Sequence, residues 1–146
     1  MTAARLGLAL LPCLAAACVE LTPNDTPVTT WEADLVPHIS HPDLIGQVAA
    51  AVQLGGTDVG IGIEGAAPGA SHLWGVRSGS CGAPGTLIGT SLDYPILVVS
   101  DSGKASAQTR LGSSLSADVS YHAELRESTT DTSRIACGNL QRLESP

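Results

Sequence analysis

From Trp31 onward, apolar and polar residues alternate with a period of two, and turn residues recur about every ten positions. Val48, Ala50, Val52 and Leu54 form one face of a segment whose other face is Gln47, Ala49, Ala51 and Gln53. Gly55-Gly56 supplies a turn into Val59, Ile61 and Ile63, which predicts a β-hairpin with Asp58, Gly60, Gly62 and Glu64 on its solvent side. Further strands are predicted at Trp31 to Val36, Ser71 to Arg77, Ile96 to Ser100, Lys104 to Leu111, Val119 to Arg126 and, shorter, Ile135 to Leu140, about eight in all. Asp101-Ser102-Gly103-Lys104 reads as a tight turn, and Gly79 to Pro95 as a long Gly-rich loop that contains Cys81. No segment has the length and apolar period of an ordinary helix. That excludes βαβ folds and dinucleotide sites, and Gly60-Ile61-Gly62 has no helix after it.

Composition agrees with an all-β domain. The 146 residues fit one domain, and 43% hydrophobic residues suffice for a core. With no Phe, two Trp, two Tyr and 16 Gly, that core is built from Val, Ile, Leu and Ala between tight turns, which favours a sandwich or barrel. Charged residues are 14% of the chain and the net charge is -7, without a basic cluster that could displace counterions from a phosphate backbone, so nucleic acid is not an expected partner. The mild acidity serves solubility.

The first residues break the period-two pattern. Arg5, the apolar run Leu6 to Leu11 and the small residues Ala15-Ala16-Ala17 read as a secretory signal, residues 1–17, too short to span a membrane as a helix. Leu14-Ala15-Ala16-Ala17-Cys18 resembles the lipobox of bacterial lipoproteins, with Ala15 where leucine is usual. The resemblance implies cleavage before Cys18, lipidation of its thiol, and a membrane partner reached through that lipid. Val19, where aspartate is associated with inner-membrane retention, points to the outer membrane facing the periplasm. A plain secreted protein is the alternative. The Thr-, Pro- and Asp-containing stretch that follows makes residues 18–30 a tether and 31–146 the domain. Of four cysteines, Cys13 leaves with the signal and Cys18 carries lipid. Cys81 and Cys137 remain, and export places them where thiols oxidise, so one disulfide is expected, with two buried free thiols as the alternative.

Three motifs carry a wider resemblance. Trp74-Gly75-Val76-Arg77-Ser78-Gly79-Ser80-Cys81 looks like the W-H-V-H-x-G-x-C motif of copper/zinc superoxide dismutase-like proteins. Tyr121-His122-Ala123-Glu124-Leu125-Arg126-Glu127-Ser128 resembles the family's late strand Y-x-V-x-V-H-x-S. Ser133-Arg134-Ile135-Ala136-Cys137-Gly138 is similar to its C-terminal S-R-x-A-C-G. Together they cover Gly46 to Leu140, and Tyr94-Pro95 and Asp101-Ser102-Gly103 fit a bacterial branch grouped with chordin-like (CHRD) domains. The resemblance implies an eight-stranded Greek-key sandwich or barrel, with the disulfide tying the long loop to the last strand.

It also implies where the family's chemistry would sit, and the residues there are wrong for it. The copper-ligand positions hold Gly75, Arg77 and Arg126. Glycine has no donor atom, and a guanidinium is a permanent cation that repels copper. The loop that would supply zinc ligands, Gly82 to Ile96, has no His and only Asp93 as carboxylate. His38, His41, His72 and His122 match no family ligand; His72 shares the inward parity of Trp74, His122 lies on the other parity from Tyr121, and His38 and His41 are expected in surface or capping roles, with a site from His38, His41 and a distant carboxylate as the alternative. Arg134 matches the arginine that draws superoxide toward copper, and Arg77, Arg126 and Arg134 could together hold a small anion. No Ser, His and Asp grouping follows from spacing. The expectation is a non-catalytic envelope lipoprotein in a binding or structural role, with no cofactor and a protein or small anion as partner. A periplasmic copper/zinc-binding protein and a weak metal-dependent superoxide dismutase are the alternatives.

Overall fold

The computed structural model describes residues 29–143. The signal, Cys13, Cys18 and the tether up to Val28 lie outside the described residues. Eight strands follow in order: β1 (Thr30–Pro37), β2 (Ile45–Gln53), β3 (Gly56–Glu64), β4 (Ser71–Ser78), β5 (Leu97–Val98), β6 (Ala105–Leu111), β7 (Tyr121–Arg126) and β8 (Arg134–Leu143). A single 3-10 turn, Ser91–Asp93, is the only helical element among the described residues. All strand pairs are antiparallel, in the order β5-β4-β7-β8-β1-β2-β3-β6.

The sheet curls until its two outer strands, β5 and β6, meet through the turn that joins them, where Ser100 N–H donates to the Lys104 carbonyl (2.8 Å). The result is a nearly closed barrel. β7 returns past β5 and β6 to lie beside β4, and β6 crosses back to β3, which are Greek-key connections. The expected class, all-β with eight strands and one disulfide, is the observed one. Cys81 and Cys137 are bonded across 56 residues, with their Cα atoms 6.0 Å apart.

Period-two alternation builds the inner wall. Trp31, Ala33 and Leu35 of β1, Val48 and Ala50 of β2, and Val59, Ile61 and Ile63 of β3 point inward, and Glu32, Asp34, Gln47 and Asp58 face solvent. Two edge-to-face aromatic pairs, Trp31 with Tyr121 at 6.5 Å and Trp74 with Tyr94 at 5.0 Å, fill the ends of a core otherwise aliphatic. The Trp74 indole N–H donates to the Pro95 carbonyl (2.7 Å), so its polar atom is satisfied.

Several boundaries differ from the sequence reading. The first hairpin turns at Leu54-Gly55, with Gly55 at φ 81°, and Gly56 already belongs to β3. Leu54, read as an inward residue, is 99% exposed at the tip. β1 starts at Thr30, one residue before the strand expected from Trp31, and the Thr29 carbonyl already accepts from Val52 N–H. β5 keeps two residues of the five expected, because Pro95 cannot donate to a ladder and Val99 N–H instead bonds the Ala70 carbonyl. β7 starts at Tyr121 because Val119 sits in a turn closed on the Ser116 carbonyl. β8, expected to be short, is the longest strand at ten residues. It pairs with both β7 and β1, and Gly138 is what lets it lie so close to β1: a Cβ there would stand 2.3 Å from the Asp34 carbonyl oxygen.

Candidate functional site

On β7 and β8 the alternation gives way to continuous burial. Tyr121, Ala123 and Leu125 face the core, yet His122 and Glu124 on the opposite face are 1% and 7% exposed. The cover is the long loop after β4. Its residues Thr86 to Ile88 return along the free edge of β4, where Ser78 N–H bonds the Thr86 carbonyl and Ile88 N–H the Val76 carbonyl. The disulfide pins the loop over β8, and Cys81 N–H donates to Asn139 Oδ1 (2.7 Å).

The floor under this cover is the outer face of β4 and β7, which holds all three copper-ligand positions. Cross-strand register sets Gly75 opposite Glu124, Arg77 opposite His122, and Leu73 opposite Arg126. Arg77 therefore lies diagonally across from Glu124, and Arg126 lies two residues along the same strand. Arg77 Nε donates to Glu124 Oε1 at 2.5 Å, while Arg126 donates to the same oxygen from Nε at 2.9 Å and from its terminal nitrogen at 2.7 Å. Arg77 spends a further N–H on the Gly85 carbonyl in the covering loop (2.8 Å). Burial alone would push the Glu124 carboxyl up, but the hydrogen bonds from Arg126 and Arg77, together with their charges, outweigh it and hold the group below its ordinary value.

The roof is apolar. A Cβ on Gly75 would stand 2.7 Å from Leu87 Cδ1, with the Tyr94 ring 3.7 Å away. The Tyr94 hydroxyl donates to the Ile88 carbonyl (2.7 Å), and burial pushes its pKa up to about 12. Leucine and tyrosine thus fill the volume that a side chain at position 75 would take.

These residues do not fit a copper ion. Position 75 offers no donor atom and is roofed by Leu87; positions 77 and 126 offer guanidinium groups already closed on a carboxylate. Among the described residues, no group of three or more His, Cys, Asp or Glu is placed to hold a metal ion. Of the three arginines expected to hold a small anion, Arg77 and Arg126 share one carboxylate and Arg134 does not. The anion between Arg77 and Arg126 is the protein's own Glu124. Arg134 stands across from Arg126 in register, past a bulge, but is exposed and lines a surface groove with Val36, His38 and the disulfide.

Of the four histidines, His38 is exposed, His41 half-buried, and His72 and His122 buried. His122 Nδ1 bonds the Gly79 carbonyl (3.1 Å), which makes it a strut for the covering loop. His72 bonds the carbonyls of Arg126 (3.2 Å) and Glu127 (2.7 Å) through Nδ1 and leaves Nε2 buried without a partner. His38 and His41 lie on the β1–β2 connection. Glu124 is the residue that sequence reasoning missed. The signal was present in Glu124-Leu125-Arg126, a carboxylate and a cation two apart on one strand face.

No protein-family model matches the chain, and no curated protein is similar to it.

Proposed function

We propose that this is a non-catalytic lipoprotein of the bacterial cell envelope, whose superoxide dismutase-like β-domain serves a binding or structural role. What supports the reading is one arrangement: where the resemblance calls for three imidazoles around a metal, two guanidiniums close on Glu124 beneath Leu87. A redox metal needs lone-pair donors and a path for the substrate. Cations that repel it and Leu87 packed over position 75 supply neither. The N-terminal lipid on Cys18 belongs to the same reading, from the lipobox, and would hold the domain at a membrane surface.

Two measurements test it. The protein exported into an oxidising compartment and loaded with copper and zinc is expected to remove superoxide no faster than the same metals in buffer; turnover with stoichiometric copper overturns the reading. The variant Gly75→His/Arg77→His/Arg126→His with Leu87→Ala, which clears the roof, is expected to bind one copper more than the parent. For the anchor, the mass of the N-terminal peptide decides. It is expected to start at Cys18 and carry acyl chains, and an unmodified N-terminus elsewhere removes the lipid from the proposal.

A further inference from the structure

The two ends of the barrel differ in shape and in charge. The chain enters at the end where β1 begins, and the β2–β3 hairpin overhangs that end. The hairpin's last pair, Gln53 with Gly56, lies beyond the last pairs it makes with its neighbours, Thr30 with Ala51 on β1 and Leu111 with Thr57 on β6. At the apex stands Leu54, almost wholly exposed. The turn itself does not require leucine: Gly55 takes the positive φ, and turn positions ordinarily go to small or polar residues. Leu143, across from Thr30, and Val119, just before β7, add exposed apolar surface at the same end.

Charge sorts along the same axis. Among the described residues of the near end, the carboxylates Asp58 and Asp118 are matched by Arg110 and Arg142. Arg110 stands at the neck of the hairpin, where it donates to Asp58 Oδ1 (2.8 Å) and to the carbonyl of Leu54 itself (2.7 Å). The far end lies roughly 25 Å away along β1. It carries Asp43, Glu64, Asp101, Glu127 and Asp131 against Lys104, Arg126 and Arg134. Ile39 and Ile45 are exposed there too, but they stand among those carboxylates, and Ile45 is paired with Glu64.

We propose that the Leu54 tip is a second membrane contact, which seats the domain upright on the phospholipid surface that carries its lipid. The proposal rests on the lipid anchor at Cys18. The stretch from Cys18 to Thr29 reaches about 40 Å at full extension, so either end of the barrel can meet the surface and the ends themselves decide. At the near end, Leu54 leaves water for the boundary between headgroups and acyl chains, and Arg110 and Arg142 come to lie beside anionic headgroups. At the far end, the same headgroups repel the excess of carboxylates within a Debye length, about 8 Å at physiological salt. Seated on its near end, the domain turns its acidic end and the sides of the barrel toward the aqueous phase.

The test uses the acylated mature protein, its N-terminus checked by mass, in vesicles of phosphatidylethanolamine and phosphatidylglycerol. With Cys18 acylated and Cys81 bonded to Cys137, an introduced cysteine is the single free thiol for an environment-sensitive fluorophore. Probes on Leu54→Cys and Leu143→Cys are expected to shift to the blue and to be quenched by a nitroxide-bearing lipid, while a probe on Ile39→Cys keeps its aqueous emission. Leu54→Asp, an exposed change that leaves the core untouched, is expected to return the probe at 143 to aqueous emission, which separates insertion of the protein from insertion of the fluorophore. Equal quenching at 54 and 39, or a signal at 143 that Leu54→Asp does not move, overturns the proposal and leaves the anchor standing. A blue shift at 54 without quenching by the lipid, the mark of a second copy covering the tip, overturns it as well. Protein without acyl chains removes the anchor and the proposal together.

Discussion

Glu124→Ala is expected to destabilise the protein by about 3 kcal/mol, measured as the loss in urea-unfolding free energy. Removing one partner of a buried ion group leaves the others uncompensated, at a cost of about 3–5 kcal/mol. The lower end applies here, because the Arg77 and Arg126 side chains are 24% and 28% exposed and water screens part of their repulsion. The cost comes from the two like charges left behind, not from the worth of the ion group itself. The triple variant Arg77→Met/Glu124→Leu/Arg126→Leu therefore has the opposite outcome: it is expected to match the parent or exceed it by about 1–4 kcal/mol. If Glu124→Ala were no worse than the triple variant, uncompensated charge would not be the cause.

The same carboxylate gives a pH signature. Its folded-state pKa lies below the ordinary value of 4.5, so the folded state holds the proton less well than the unfolded chain does. The stabilisation is present in full above that value and is lost as pH falls through the folded pKa. The parent is expected to lose stability on acidification below about pH 4.5 more steeply than the triple variant, which has no carboxylate there to protonate.

The inner wall was legible because its signal is local. A strand with one face on the core writes that face into its own residues, as β1 does with Trp31, Ala33 and Leu35. The outer face of β7 was not legible, because what buries His122 and Glu124 is a loop some forty residues earlier in the chain. By parity alone those two residues read as solvent-facing. The motif resemblance picked out Gly75, Arg77 and Arg126 as a group, and register does bring them onto one face. What motif matching could not supply was the partner of the two arginines, since the family pattern leaves position 124 unspecified. Arg134 was picked out with them, but its side chain is exposed beside the disulfide, although its backbone pairs with Arg126 past the bulge.

That loop is also why the disulfide should matter beyond its own closure. Cys81→Ala/Cys137→Ala is expected to cost about 4 kcal/mol in unfolding free energy, the loop-closure entropy for a 56-residue separation. Without the bond, the loop is held over β7 and β8 by polar contacts: His122 to the Gly79 carbonyl, Arg77 to the Gly85 carbonyl, and Cys81 N–H to Asn139. It also covers Glu124 and limits the exposure of the Arg77 and Arg126 side chains to 24% and 28%. The two largest effects are therefore expected to be coupled rather than additive. In the disulfide-free background more water reaches Arg77 and Arg126, and Glu124→Ala should cost less than the roughly 3 kcal/mol expected in the parent. A double-mutant cycle by urea unfolding measures the difference, and additive costs would mean that the loop keeps its place over the arginines without its covalent tie.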